Sequence, residues 1–108
     1  MNHEDIIVFQ APAEDKRYVK RLIGLPGDEI EIKDGRLYRN KQLIHESYIQ
    51  EQMNYNFGPV VVPVNEYFFL GDNRNVSYDG HAWEYPFIKK EMLVGKVMLE
   101  IPTHAWFD

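Results

Sequence analysis

Two stretches of the sequence combine residue types that can move a proton. The first, Tyr18-Val-Lys-Arg-Leu-Ile-Gly-Leu-Pro-Gly-Asp28, holds Lys20 inside a short apolar run. On a strand over residues 17–23 the even positions share a face, so Lys20 sits between Tyr18 and Leu22 while Arg17 and Arg21 point the other way. Lys20 is then the one cation set among apolar neighbours. Burial there disfavours the ammonium form and lowers a lysine pKa toward the range of a general base. The same pattern also suits a lysine that extends to solvent along its apolar stem. The second stretch, Tyr67-Phe-Phe-Leu-Gly-Asp-Asn-Arg-Asn-Val-Ser-Tyr-Asp-Gly-His81, leaves an apolar strand for a loop carrying Asp72, Asn73, Arg74, Ser77 and Asp79. Gly-Asp-Asn is ordinary turn chemistry, and Asp72 with Arg74 suits a surface ion pair of little worth. Taken alone, this stretch says only that the loop is polar and ordered.

The elements that must hold these residues are mostly short strands. Asp5 to Phe9 and Arg17 to Ile23 are β-branched and apolar, with a Pro-containing loop between them and a sharp turn at Gly24-Leu-Pro-Gly27. Glu29 to Lys33 alternates strictly, Asp34-Gly35 suits a type I′ turn, and Arg36 to Arg39 resumes the alternation. Asn40-Lys41 offers another turn into Gln42 to Ile44. Residues 45–58 are polar and aromatic without a period, with a short helical turn expected near Tyr48 to Met53. Val60 to Pro63 and Tyr67 to Leu70 are further strands, and the proline places the first at a sheet edge or end. Gly71 to Glu84 is a long loop, and a loop of that length in a small domain is usually functional or mobile. Lys89 to Met92 is a brief turn, and Val94 to Ile101 a final strand. The pattern predicts a mostly β fold, a sandwich or barrel of short, largely antiparallel strands forming one domain over residues 1–108.

Composition narrows the function classes. Twelve basic and 17 acidic residues give a net charge of −5, and no basic cluster larger than a pair occurs, which argues against nucleic acid as a partner. Cysteine is absent, so disulfides, thiolate nucleophiles and cysteine metal sites are excluded. His3, His45, His81 and His104 are scattered without ligand spacing, so no metal or other cofactor is expected. No run approaches the ~18 apolar residues of a membrane span, so the chain as given is expected to be soluble.

Together the two stretches match a known pattern. Tyr18 to Asp28 resembles the lysine box of type I signal peptidases, Gly71-Asp-Asn-Arg-Asn-Val-Ser-Tyr-Asp79 resembles their later Gly-Asp-Asn-Arg box, and Asp5 to Phe9 is similar to the strand that precedes both. The resemblance runs from about Asp5 to Ile101, and the short spacing between boxes looks like the compact Gram-positive form. It implies a serine endopeptidase with a Ser/Lys dyad that removes signal peptides from exported preproteins at the extracytoplasmic face of the cell membrane. By the same resemblance Lys20 is the general base and Ser77 the hydroxyl that orients it. Gly71, Asp72, Asn73, Arg74 and Asp79 support the lysine from the loop, and Tyr18 and Val19 line the channel in which the substrate strand adds.

The resemblance also implies a nucleophilic serine in a Ser-Met-x-Pro motif beside a membrane anchor, upstream of the strand matching Asp5 to Phe9. No serine or threonine precedes Lys20, and the hydroxyls of that kind in the chain are Ser47, Ser77 and Thr103. The expected form is therefore a signal-peptidase domain truncated at its N-terminus, with a noncatalytic homologue that binds signal peptides or a partner without cleavage as the alternative, and self-association through exposed sheet edges is expected. A further departure is Asp79-Gly80-His81, where family members usually continue Asp-Ser-Arg. An ion pair with Asp79 would then depend on pH, although a solvated loop histidine is the simpler reading. Residues 1–108 alone are predicted not to cleave a preprotein in vitro; processing by the purified chain that disappears in Lys20→Ala would contradict this.

Overall fold

A computed structural model of the chain describes residues 1–10 and 16–98. Its strands are β1 (Ile6–Gln10), β2 (Arg17–Gly24), β3 (Glu29–Lys33), β4 (Arg36–Arg39), β5 (Gln42–Leu43), β6 (Phe57–Val61), β7 (Glu66–Leu70), β8 (Phe87–Lys89) and β9 (Leu93–Lys96). One turn of 3₁₀ helix, Lys90–Met92, stands where the brief turn was expected. The strands form a five-stranded sheet in the order β8-β7-β2-β1-β9 and a four-stranded sheet in the order β5-β4-β3-β6. Every pairing between them is antiparallel.

The two sheets differ in how their strands read, and burial explains why. In β3 the buried residues alternate, Ile30 and Ile32 inward and the glutamates outward, because only one face is covered. In β2 and β7 consecutive residues are fully buried, Leu22 with Ile23 and Phe68 with Phe69. The five-stranded sheet is thus covered on both faces. Ile23, Phe68, Leu70 and Phe87 pack against Ile30, Ile32, Leu37 and Val62 in the core between the sheets. Ile7, Phe9, Leu22, Phe69 and Ile88 form a second cluster on the other face, covered by Tyr18, Trp83, Met92 and Leu93. Each fully buried large apolar side chain contributes about 1.5–3 kcal/mol.

Turn chemistry sets the register of the smaller sheet. Asp34 and Gly35 both have positive φ, 53° and 79°, as a type I′ turn requires, and Ile32 faces Leu37 across the hairpin. Asn40 and Lys41 repeat this, at 54° and 67°. Asn40 also ties the hairpin to the Gly-Leu-Pro-Gly-Asp turn, accepting from Glu29 N–H and donating to Asp28 Oδ1, both at 2.9 Å. Among the described residues β6 pairs only with β3 and is an edge strand as expected, but it spans Phe57–Val61, so the proline within it is Pro59 and Pro63 lies beyond its end.

The helical turn expected near Tyr48 to Met53 is absent. That segment is irregular because its polar groups bond to the long loop instead of to one another: Asn54 N–H donates to Asn75 Oδ1, and Asn75 Nδ2 donates to the Gln52 carbonyl. The last strand begins one residue early and ends at Lys96, with Val97 N–H still donating to Ile6 O; its expected part from 99 to 101, Thr103, His104 and the loop at 11–15 lie outside the described residues.

Asp28 joins three parts of this frame. Its carboxylate accepts from Leu25 N–H, His3 Nε2 and Asn40 Nδ2. Burial pushes its pKa up, but the bonds from Asn40, His3 and Leu25 outweigh this and hold it below the ordinary value. A depressed folded-state pKa adds stability that is present above the unfolded value of ~3.9 and is lost as pH falls through the folded one. Asp28→Asn should therefore be less stable than the parent at pH 7 and converge on it near pH 2; urea unfolding across that range is the check, and a constant difference would contradict it.

Candidate active site

β2 positions Lys20. Register with β1 pairs Lys20 with Ile7, and the even residues Tyr18 and Leu22 join the second cluster, so the Lys20 side chain leaves on that face. Lys20 is 5% exposed. Its Nζ donates to Ser77 Oγ at 2.9 Å and lies 5.7 Å from the centre of the Tyr18 ring. Ser77 is also 5% exposed and is 57 residues away in sequence, so only the fold brings the pair together.

The loop that delivers Ser77 is closed by its own polar groups. Gly71 N–H donates to Asp79 Oδ2 at 2.9 Å, Gly80 N–H to Phe69 O at 3.0 Å, and Arg74 Nε to Gly71 O at 2.8 Å. The exposed Asn73 works through its backbone: its carbonyl accepts from Val76 and Ser77 N–H, which sets the turn that presents Ser77. Asp79 is fully buried, and its carbonyl accepts from Ala82 and Trp83 N–H.

On the opposite face of β2 the structure corrects two expectations. Lys20 is not the one cation among apolar residues, because Arg21 and Arg74 are buried as well, at 8% and 1% exposure. Nor do Asp72 and Arg74 pair at the surface. Asp72 accepts a bidentate pair from Arg21, Nε at 2.9 Å and Nη2 at 2.7 Å, while both Arg74 amino groups reach Glu46, at 2.8 and 2.7 Å. The alternation placed Arg21 correctly on the other face; what it missed is that this face is buried too. Breaking such a buried pair from one side costs about 3–5 kcal/mol.

His81 is not solvated. Its ring stacks on Tyr55 with centroids 3.7 Å apart, and its Nδ1 and backbone N–H both reach Asp79 Oδ1. Gly80 beside it has no room for a side chain: a Cβ would lie 2.6 Å from the Phe68 ring and 2.8 Å from Phe69 O. Glu46, Tyr48 and Tyr55 were not legible as site residues, since a polar and aromatic stretch without a period does not reveal its distant partners.

Tyr18 is half-buried, 6.0 Å from Phe9 and 6.1 Å from Trp83 between ring centres. Val19 pairs with Val8. Leu22 N–H donates to Asp5 O, and Glu4 N–H donates to Leu22 O, so alternation turns the Val19 backbone away from β1, toward the β7 side. The last β7 pairing is Leu70 with Arg21, so the first half of β2 extends past the end of β7. Among the described residues β2 is a central strand whose pairing with β7 covers only its second half. A separate cavity of about 440 Å³, bounded by Leu37, Ile44, His45 and Ile49, does not include Lys20 or Ser77. Among the described residues no cluster of His, Cys, Asp and Glu is arranged to hold a metal ion.

The profile of the family described as signal peptidase, peptidase S26, matches residues 1–101. The chain belongs to the S26 signal peptidase family. It is 45% identical over 82 residues to a probable signal peptidase I-2 of Synechocystis sp., a match covering 76% of this chain and 37% of that protein. It is 39% identical over 103 residues to a signal peptidase I of Leptolyngbya laminosa, covering 88% and 50% respectively. The crystal structure of a signal peptidase I from Enterococcus faecalis V583 superposes with a TM-score of 0.76 at 30% identity, over 91% of this chain and 97% of that one. The mostly β, antiparallel architecture is thus that of a signal peptidase I. The chain spans about half the length of the curated relatives it matches.

The fit around Gly80 predicts that this chain does not tolerate a side chain at that position. Gly80→Ala should cost about 1–3 kcal/mol by forcing the Phe68 ring or the Phe69 backbone to move; an unchanged denaturant midpoint would contradict this.

Proposed function

We propose that the chain is the catalytic-type domain of a type I signal peptidase, a serine endopeptidase that removes signal peptides from exported preproteins. Lys20 acts as general base and Ser77 orients it. The observation that carries this reading is the buried contact of 2.9 Å between Lys20 Nζ and Ser77 Oγ. In a low-dielectric setting a lysine amine is more readily held neutral, and a neutral amine can take the proton of an attacking hydroxyl and pass it to the leaving amine. Ser77 supports this by fixing the Nζ position with a hydrogen bond. Gly71, Asp72, Asn73, Arg74 and Asp79 serve by holding the loop that carries Ser77.

The substrate is read as an extended peptide lying along the first half of β2, where the Val19 backbone polar groups face away from β1 and Tyr18 offers an aromatic wall. The nucleophile is assigned to a Ser-Met-x-Pro segment beside a membrane anchor, which would place the domain at the extracytoplasmic face of the membrane. Among the described residues no helix is long and apolar enough to cross a membrane. Self-association is proposed for residues 1–108 alone, through the sheet edges at β6 and β9, where Val61 and Val94 are exposed.

Joining the chain to a segment bearing that serine motif is expected to yield preprotein cleavage. Lys20→Ala should then lower kcat by about 10²-fold or more, the usual contribution of a general base, while Ser77→Ala lowers kcat with KM unchanged. Undiminished cleavage by Lys20→Ala would overturn the assignment.

A further inference from the structure

Lys20 and Arg21 are consecutive on β2 and leave on opposite faces, and Asp72, Arg74 and Ser77 lie on one loop. Whatever fixes the two arginines therefore also fixes where Lys20 Nζ and Ser77 Oγ meet. Around them runs a closed ring of contacts. Arg21 grips Asp72; Arg74, two residues on, grips Glu46; Tyr48 O–H donates to Glu46 Oε2 at 2.7 Å; and the Tyr48 ring centre lies 3.8 Å from Arg21 Cζ and 5.7 Å from Arg74 Cζ. The ring's charges balance, two guanidinium groups against two carboxylates. The Arg74 side chain is 0% exposed and that of Glu46 3%, so neither ion is neutralised by water. Asp72 takes the edge of the Arg21 guanidinium and Tyr48 covers its face.

We propose that Glu46 and Tyr48, on the irregular segment between β5 and β6, are positioning residues for the Lys20–Ser77 pair. They touch neither group. Tyr48 locks Arg21, and with it the β2 side of the site, while Glu46 locks Arg74 and with it the loop side. The phenol that joins them stays a donor, because burial and the neighbouring Glu46 carboxylate push its pKa far above the ordinary value. The proposal rests on Lys20 being the base.

The test follows deprotonation of Lys20 through its ¹³Cε resonance against pH in the 108-residue chain, with amide spectra confirming the fold. In the parent the midpoint should lie below the ordinary ~10.4. Tyr48→Leu, which alters no charge, should raise it by roughly half a unit or more as the loosened loop admits water, and Tyr48→Phe by less. Glu46→Gln should also raise it, opposite in sign to the loss of a nearby negative charge alone. Glu51→Gln, an exposed carboxylate on the same segment, should leave it unchanged. Folded Tyr48 and Glu46 variants with the parental midpoint, or a downward shift in Glu46→Gln, overturn the proposal. If Tyr48→Leu does not fold, Tyr48→Phe and Glu46→Gln decide it. A parental midpoint at the ordinary lysine value removes the base assignment first, and this proposal with it.

Discussion

The buried bidentate contact between Arg21 and Asp72 is the constraint on which the rest of the site depends. A guanidinium taken out of water demands a carboxylate in fixed geometry, and here that demand links the middle of β2 to the start of the loop carrying Ser77. Because Arg21 follows Lys20 directly, the strand transmits that fixation to the lysine. Because Asp72 lies five residues before Ser77, the loop transmits it to the hydroxyl. The ion pair is a poor source of net stability by comparison with an apolar core of the same volume. What it provides is specificity, since a displaced loop would leave two ions buried without partners.

Much of the sheet structure was legible because strand periodicity is local. The β3–β4 hairpin follows from alternation and from Asp34-Gly35 alone. The lysine box and the Gly-Asp-Asn-Arg box were legible as a pair, and in the structure Ser77 lies against Lys20. The second face of β2 was not legible. Alternation says which residues share a side, and it is silent on whether that side is buried. Two arginines on a strand or loop look like solvent residues until a carboxylate is found for each, and the carboxylate for Arg74 comes from Glu46, 28 residues away. That separation also explains the missed course of residues 45–56. Their conformation is dictated by Arg21, Arg74 and Asn75, and no local propensity records those partners.

The Gly80-His81 step has a physical account in the same terms. Asp79 is fully buried, and its two carboxylate oxygens are met by Gly71 N–H on one and by the backbone N–H and Nδ1 of His81 on the other. A neutral imidazole with its proton on Nδ1 can make this hydrogen bond as a charged one can. The flat ring also stacks on Tyr55, which a histidine in solvent would not do. Absence of a Cβ at position 80 lets the loop backbone approach Phe68 and bond to Phe69 O. Gly80 and His81 thus act together: the glycine brings the loop down onto β7, and the histidine holds the carboxylate that this approach buries.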